Sequence, residues 1–266
     1  MMDELNTRGL VLLGCGKMGG AMLAGWLAGG LKPEAVTVLD PHPSDWLKAQ
    51  TGVRINTDLP ESPAVAIIAV KPQMMGDALP ALRALGAATT FVSIAAGTPI
   101  AAFEEALGAV PVVRAMPNTP AAVGRGISAV IGNSAVTPEQ LDMACDLLSA
   151  VGEVVRLENE DQIDAVTGVS GSGPAYVFHM IEALAQAGEA QGLAPELAMQ
   201  LARATVCGAG ELAHSDAETS VAQLRKNVTS PNGTTQAGLE VLMPELPDLM
   251  RRTVEAATNR AKELRS

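Results

Sequence analysis

The chain has 266 residues, 48% hydrophobic and 18% charged, which suits one large or two modest domains with their own cores and excludes a disordered chain. A net charge of −11 opposes phosphate backbones and anionic membrane surfaces, so nucleic acid and membrane are excluded as partners, and an anionic ligand must be held by local backbone groups. Cys15, Cys145 and Cys207 are odd in number and far apart, which excludes a disulfide framework or zinc knuckle and fits a reducing compartment.

The opening MMDELNTRGLVLLG reads as neither a signal peptide nor an anchor. The most apolar stretch, 64–70, is too short to span a bilayer, so a cytoplasmic protein is expected. Strand-like runs at 9–13, 35–40, 65–70, 90–95, 111–116 and 127–131 are apolar on both parities, as strands buried on both faces must be. Helix-like stretches lie between them near 17–29, 44–50, 73–85 and 99–107. Thr137 and Pro138 open a further helix to about Ala150, and 153–156 reads as a final edge strand. This β-α-β rhythm predicts a mainly parallel, doubly wound sheet.

After Asn159 the strand-like runs stop. Val177, Met180, Ile181, Leu184, Ala185 and Gly188 recur at helical spacing. Pro195 opens another helix, a short one follows near Ser220, and Pro244 and Pro247 are expected to interrupt the last helical tract. The fold class read here is α/β: an N-terminal Rossmann domain, 1–159, and an all-helical domain, 160–266.

The sharpest motif is Gly14-Cys15-Gly16-Lys17-Met18-Gly19, a GxGxxG that follows a strand and opens a helix. In that context Gly14 serves the tight turn, Gly16 the close approach of a pyrophosphate, and Gly19 the packing of helix on sheet. The helix start presents free N–H groups to phosphate. Asp40 ends the second strand, where an acid would accept the ribose hydroxyls of NADH and repel the 2′-phosphate of NADPH. Asp40 thus leans the cofactor toward NADH; its alternative role is a turn cap before Pro41. His42 and Lys48 are nearby cations.

Three further strand ends, at Lys71-Pro72, Ala95-Ala96-Gly97 and Pro117-Asn118, fall where a nicotinamide would lie in such a sheet. The 168–172 segment, GVSGS, narrowly misses a nucleophile elbow and lacks a leading strand. In the stretch Ser230-Pro-Asn-Gly-Thr-Thr235, turn residues precede a helix start, and converging hydroxyls and N–H groups offer a receptor for a small carboxylate; the alternative, which local composition alone favours, is an ordinary turn and N-cap. His42, His179 and His214 are scattered, so no metal site is expected. His179 reads as a packing residue, and the run 158–161 as a solvated helix start.

GCGKMGGAML, AVKP, SIAAG, RAMPNTP, GVSGSGPAYVF and above all VTSPNGTTQAGLEVL together resemble the pyrroline-5-carboxylate reductase family, over essentially the whole length. One departure is Asn232, where the family usually has Gly; Asn is the non-Gly residue best suited to a left-handed conformation. The resemblance implies reduction of 1-pyrroline-5-carboxylate to L-proline by hydride from NADPH or NADH, the last step of proline biosynthesis. It implies a helical dimerisation domain and an active site at the interface of a homodimer or larger homo-oligomer. It places the substrate carboxylate on Ser230, Gly233, Thr234 and Thr235, with Thr235 orienting the ring nitrogen as the candidate catalytic residue. The cofactor would contact Gly14, Cys15, Gly16, Lys17, Met18, Gly19, Asp40, Asn56, Val70, Lys71, Ala95, Pro117 and Asn118. A β-hydroxyacid dehydrogenase would instead need a lysine on the helix after the Gly-rich loop; 174–181 has none. A non-catalytic dinucleotide-binding regulator would have no use for the 230–235 turn.

Overall fold

The computed structural model describes residues 2–265. It divides into two compact units: one runs to Gly171 and resumes at Thr258, and the other is Ser172–Ala257.

In the first unit a short helix, α1 (Met2–Arg8), leads into β1 (Leu10–Leu13), α2 (Lys17–Ala28), β2 (Val36–Leu39), α3 (Asp45–Lys48), β3 (Arg54–Ile55) and β4 (Val65–Ile68). There follow α4 (Met75–Ala78), β5 (Thr90–Ser93), α5 (Ile100–Leu107), β6 (Val112–Met116), β7 (Gly126–Gly132), α6 (Pro138–Ser149), β8 (Gly152–Arg156) and α7 (Gln162–Val166). The eight strands form one sheet in the order β3-β2-β1-β4-β5-β6-β7-β8. Neighbours run parallel except β6 and β7. Strand order reverses between β1 and β4, and crevices at such reversals receive ligands in open α/β sheets.

Both faces of the sheet are covered, which accounts for strands that are apolar on both parities. Leu10 and Leu12 of β1 pack with Met22, Leu23 and Trp26 of α2 and Leu147 of α6, whereas Val11 and Leu13 pack with Phe103 of α5, Leu82 and Phe91. Trp26 is wholly buried and donates its indole N–H to Leu147 C=O at 2.7 Å. That bond satisfies the ring's one polar atom and pins α2 to α6. The start of α6 is a reciprocal cap: Thr137 Oγ1 accepts from Gln140 N–H, as expected of a threonine cap, and Thr137 N–H donates to Gln140 Oε1, a return bond beyond that expectation.

Arg114, on β6, is buried at 2% exposure, and its Nη1 donates to Glu160 Oε1 at 2.6 Å. Glu160 Oε1 also accepts the N–H of Ile100 at the start of α5. The 158–161 run is therefore not merely a solvated helix start: Glu160 neutralises a buried cation and caps a distant helix, a pairing that local sequence does not display.

The second unit contains α8 (Gly173–Ala190), α9 (Pro195–Ser215), α10 (Val221–Asn227) and most of α11 (Thr234–Arg265). Pro244 and Pro247 lie inside α11 without interrupting it, contrary to the sequence expectation. Each proline frees one carbonyl of the ladder, those of Glu240 and Met243, both at exposed positions within their unit. The last turn of α11 belongs to the first unit: Arg265 Nη1 donates to Asp161 Oδ1 at 2.8 Å, and Leu264 lies against Gly97. His179 is exposed and sits 3.1 Å from Glu182, so within its unit it is not the packing residue expected.

Candidate active site

The loop after β1 carries Gly14 to Met18 into a cleft of about 820 Å³, while Gly19 does not line it. Gly14 has φ +89, and a Cβ there would meet Ala69 C=O and Val70 Cγ1 at 2.9 Å. Gly19 is packed so that a Cβ would come within 2.5 Å of Gly14 C=O. A Cβ on Gly16 would meet nothing within 4 Å, so its backbone faces open space at the start of α2. The three glycines thus divide the work as a dinucleotide turn requires: one bends, one leaves room for a ligand, one lets helix meet strand.

Cys15, Lys17, Met18, Asp40, Val70 and Lys71 line the same cleft. Burial pushes the Cys15 thiol up to about 11, with the Asp40 carboxylate adding to the rise. Asp40 is held firmly: Oδ2 accepts Cys15 N–H at 2.6 Å and Oδ1 accepts His42 N–H at 2.8 Å. Asn56, at φ +52, is bonded through its amide to both backbone groups of Asp40. It stands behind Asp40 and is not among the residues lining the cleft. Lys48 pairs with Asp45 at 3.4 Å, while His42 lines the cleft.

Ala95 is buried beyond the end of β5 and donates its N–H to Ser93 Oγ. Pro117 is buried. The side chain of Asn118 is spent on structure: Nδ2 donates to Ser170 C=O at 3.1 Å and Oδ1 accepts Ile127 N–H at 2.9 Å. It fastens the loop after β6 to β7 and to the π-helical turn Thr167–Gly171. Sequence reasoning missed Ser44, Trp46 and Met74, which also line the cleft. Trp46 and Met74 are both exposed, at 41% and 40%. A tryptophan among polar neighbours in 42–50 was the available signal.

In the second unit, the chain between α10 and α11 forms the 230–235 turn. Asn232 has φ +56, the left-handed conformation expected of the one residue that departs from the family's Gly. Gly233 N–H donates to Ser230 C=O, and Ser230 Oγ occupies the space that a Cβ on Gly233 would need. The helix ladder starts with Ala237 N–H to Gly233 C=O at 3.2 Å. The N–H groups of Thr234, Thr235 and Gln236 precede that ladder, at the positive pole of a 32-residue helix. Both threonines are exposed.

Residues 160–264 match the family model for pyrroline-5-carboxylate reductase dimerisation, and residues 9–97 match that for NADP oxidoreductase, coenzyme F420-dependent. The pyrroline-5-carboxylate reductase of Pseudomonas aeruginosa is 40% identical over 270 residues, spanning 98% of each chain. The solved reductase of Coxiella burnetii superposes with a TM-score of 0.91 at 36% identity, covering 98% of this chain and 99% of that one. That of Plasmodium falciparum, solved with NADP bound, gives 0.81 at 29% identity over 98% and 99%. Likeness of this extent, joined to a dinucleotide turn and a dimerisation domain, has one reading: the chain belongs to the pyrroline-5-carboxylate reductase family, NAD(P)H-dependent oxidoreductases that reduce 1-pyrroline-5-carboxylate to L-proline in proline biosynthesis.

Proposed function

We propose that the substrate carboxylate is received by the 230–235 turn, through the N–H groups of Thr234 and Thr235 and the hydroxyls of Ser230, Thr234 and Thr235. The observation that carries this is the glycine at the helix start. Gly233 supplies no capping side chain, so the first N–H groups of α11 are left for an anion. Thr235 orients the ring nitrogen by a hydrogen bond; a threonine hydroxyl is too weak an acid to act alone, so water completes the proton relay. The bound cofactor supplies hydride to the imine carbon. The chain's own contribution is orientation of the ring and exclusion of misaligned poses, which accounts for a large share of the barrier reduction in such reactions. Loss of pyrroline-5-carboxylate-dependent NAD(P)H oxidation in Thr235→Ala, with cofactor affinity retained, tests the assignment.

In the cleft of the first unit, Gly14, Gly16 and Lys17 hold the pyrophosphate, and Trp46 and Met74 flank the adenine; Val70 and Lys71 border the nicotinamide together with Ala95 and the 117–118 loop, which follow β5 and β6 and do not line the cleft itself. Asp40 places a fixed negative charge beside the ribose, which supports a preference for NADH. Its two N–H bonds favour a second reading, in which Asp40 is a loop tie and cofactor choice falls to His42 and Ser44. The dimerisation domain makes a homo-oligomer, and we place the complete active site at the interface of two copies. The second unit supports this: its core comprises only Ala185, Ala198 and Ala202 among the described residues, while Phe178, Leu201, Leu212, Val241 and Leu249 stay exposed. We assign the enzyme to the cytoplasm on its three dispersed, unbridged cysteines.

A further inference from the structure

Helix α11 is finished at its start by a side chain in an unusual role. The N-cap is Gly233, so no hydroxyl or carboxylate there accepts an N–H. The third helical residue, Gln236, reaches back past the cap instead: its Oε1 accepts Asn232 N–H at 2.8 Å. Its Nε2 donates to Glu240 Oε1, one turn on, at 2.9 Å. A carboxylate only accepts, so Glu240 fixes which way the Gln236 amide faces, with its carbonyl turned to the loop. The residue so held is Asn232, the left-handed residue at φ +56, where the conformation is costlier than for glycine.

Charge adds a second argument. At this helix position both glutamate and glutamine serve as acceptors for a backbone N–H. A glutamate here would face Glu240 at i,i+4, a like-charge pair. It would also set a negative charge within the first turn, beside Thr234 and Thr235. Glutamine braces the loop and leaves the helix pole uncompensated.

We propose that Gln236 is a positioning residue for the reaction: it holds Asn232 in the conformation that shapes the 230–235 turn and keeps that turn neutral for a substrate carrying a carboxylate. The inference rests on the reading of this turn as the carboxylate receptor.

The test is steady-state kinetics of the full-length protein at saturating NAD(P)H with pyrroline-5-carboxylate varied, for wild type, Gln236→Met, Gln236→Glu and Thr235→Ala, with thermal melting of each. Gln236→Met removes the acceptor and is expected to raise KM about 5- to 20-fold with kcat within about twofold. That rise is insensitive to salt. Gln236→Glu keeps the acceptor and adds charge; KM is expected to rise about tenfold at low ionic strength and to recover as salt is added. Should Gln236→Met fold poorly, the salt dependence of Gln236→Glu carries the test alone. Unchanged KM in the Gln236 variants beside an impaired Thr235→Ala overturns the role of Gln236 and leaves the turn intact as receptor. Unchanged kinetics in all three overturns the receptor reading and this inference with it.

Discussion

The carboxylate of Asp40 accepts the backbone N–H of Cys15 at 2.6 Å, so the acid that ends β2 is fastened to the glycine turn that follows β1. The two residues influence each other. Asp40 holds the turn's shape, and its charge adds to the burial that raises the Cys15 thiol to about 11.

A thiol raised to about 11 from its ordinary value of 9.0 has roughly a hundredfold less thiolate near pH 8. Alkylation of Cys15 in the native protein, followed by mass spectrometry, is therefore expected to run about 100-fold slower than that of free cysteine. The rate should climb about tenfold per pH unit until pH ~11. The sign for stability follows: unfolded Cys15 ionises near pH 9 while the folded thiol stays neutral, so its contribution is complete below pH ~9 and declines toward pH ~11. Fast labelling at pH 8 would contradict the burial.

Asp40→Ser separates the two readings of that acid. If its charge lies near the ribose 2′ position, like charges at about 4 Å repel by ~4 kcal/mol at an effective dielectric of 20, and a quarter of that gives about a fivefold preference for NADH. The variant should then gain efficiency with NADPH, lose it with NADH and keep its KM for pyrroline-5-carboxylate. A ratio that does not move, with a lower Tm, identifies Asp40 as a loop tie.

If the 230–235 turn receives the substrate, Thr235→Ala removes one hydroxyl facing it. Catalytic efficiency with pyrroline-5-carboxylate is expected to fall about 5- to 150-fold, the equivalent of ~1–3 kcal/mol, with the KM for NAD(P)H unchanged. Wild-type kinetics in the variant would remove Thr235 from the site.

Trp46 offers a spectroscopic handle, since the other tryptophan, Trp26, is fully buried. Trp46→Ala should raise the KM for NAD(P)H about 5- to 10-fold, in line with the ~1 kcal/mol of an aromatic stack, and abolish most of the fluorescence quench on cofactor binding. A quench that persists at full size would place the adenine elsewhere.

Breaking the Arg114–Glu160 pair tests how much a buried ion pair contributes to the first unit. Glu160→Ala strands the buried guanidinium of Arg114 and is expected to cost about 3 kcal/mol, a fall in Tm of roughly 6–12 °C, read by calorimetry. A shift under 2 °C would show the pair to be dispensable.

Much of this was legible in the sequence because its signals are local. Two-parity apolar runs fixed the main strands, and the strand–glycine–helix order fixed the turn at Gly14. What escaped depends on distance or on small size. The strand of Arg54 and Ile55 is two residues long and has no period to detect. The helix of residues 2–8 buries only Leu5. Glu160 reads as a solvated acid until β6 brings Arg114 to it. Pro244 and Pro247 read as breaks because an interior proline removes a ladder bond and crowds the carbonyl four residues back, yet α11 runs through both. Gln236 lies inside the motif that carries the family resemblance, yet its role is not legible there, because its partner is a backbone N–H.

The docking of the last turn of α11 onto the first unit has a consequence for the order of folding. The contacts of Arg265 with Asp161 and the buried Asp164 close a loop of about a hundred residues, and in a flexible chain that closure costs about 4 kcal/mol of entropy. Once the intervening helices are formed, most of that entropy has already been surrendered. The final turn should therefore dock late, and its amides should exchange with solvent at a rate set by the integrity of the helices before it.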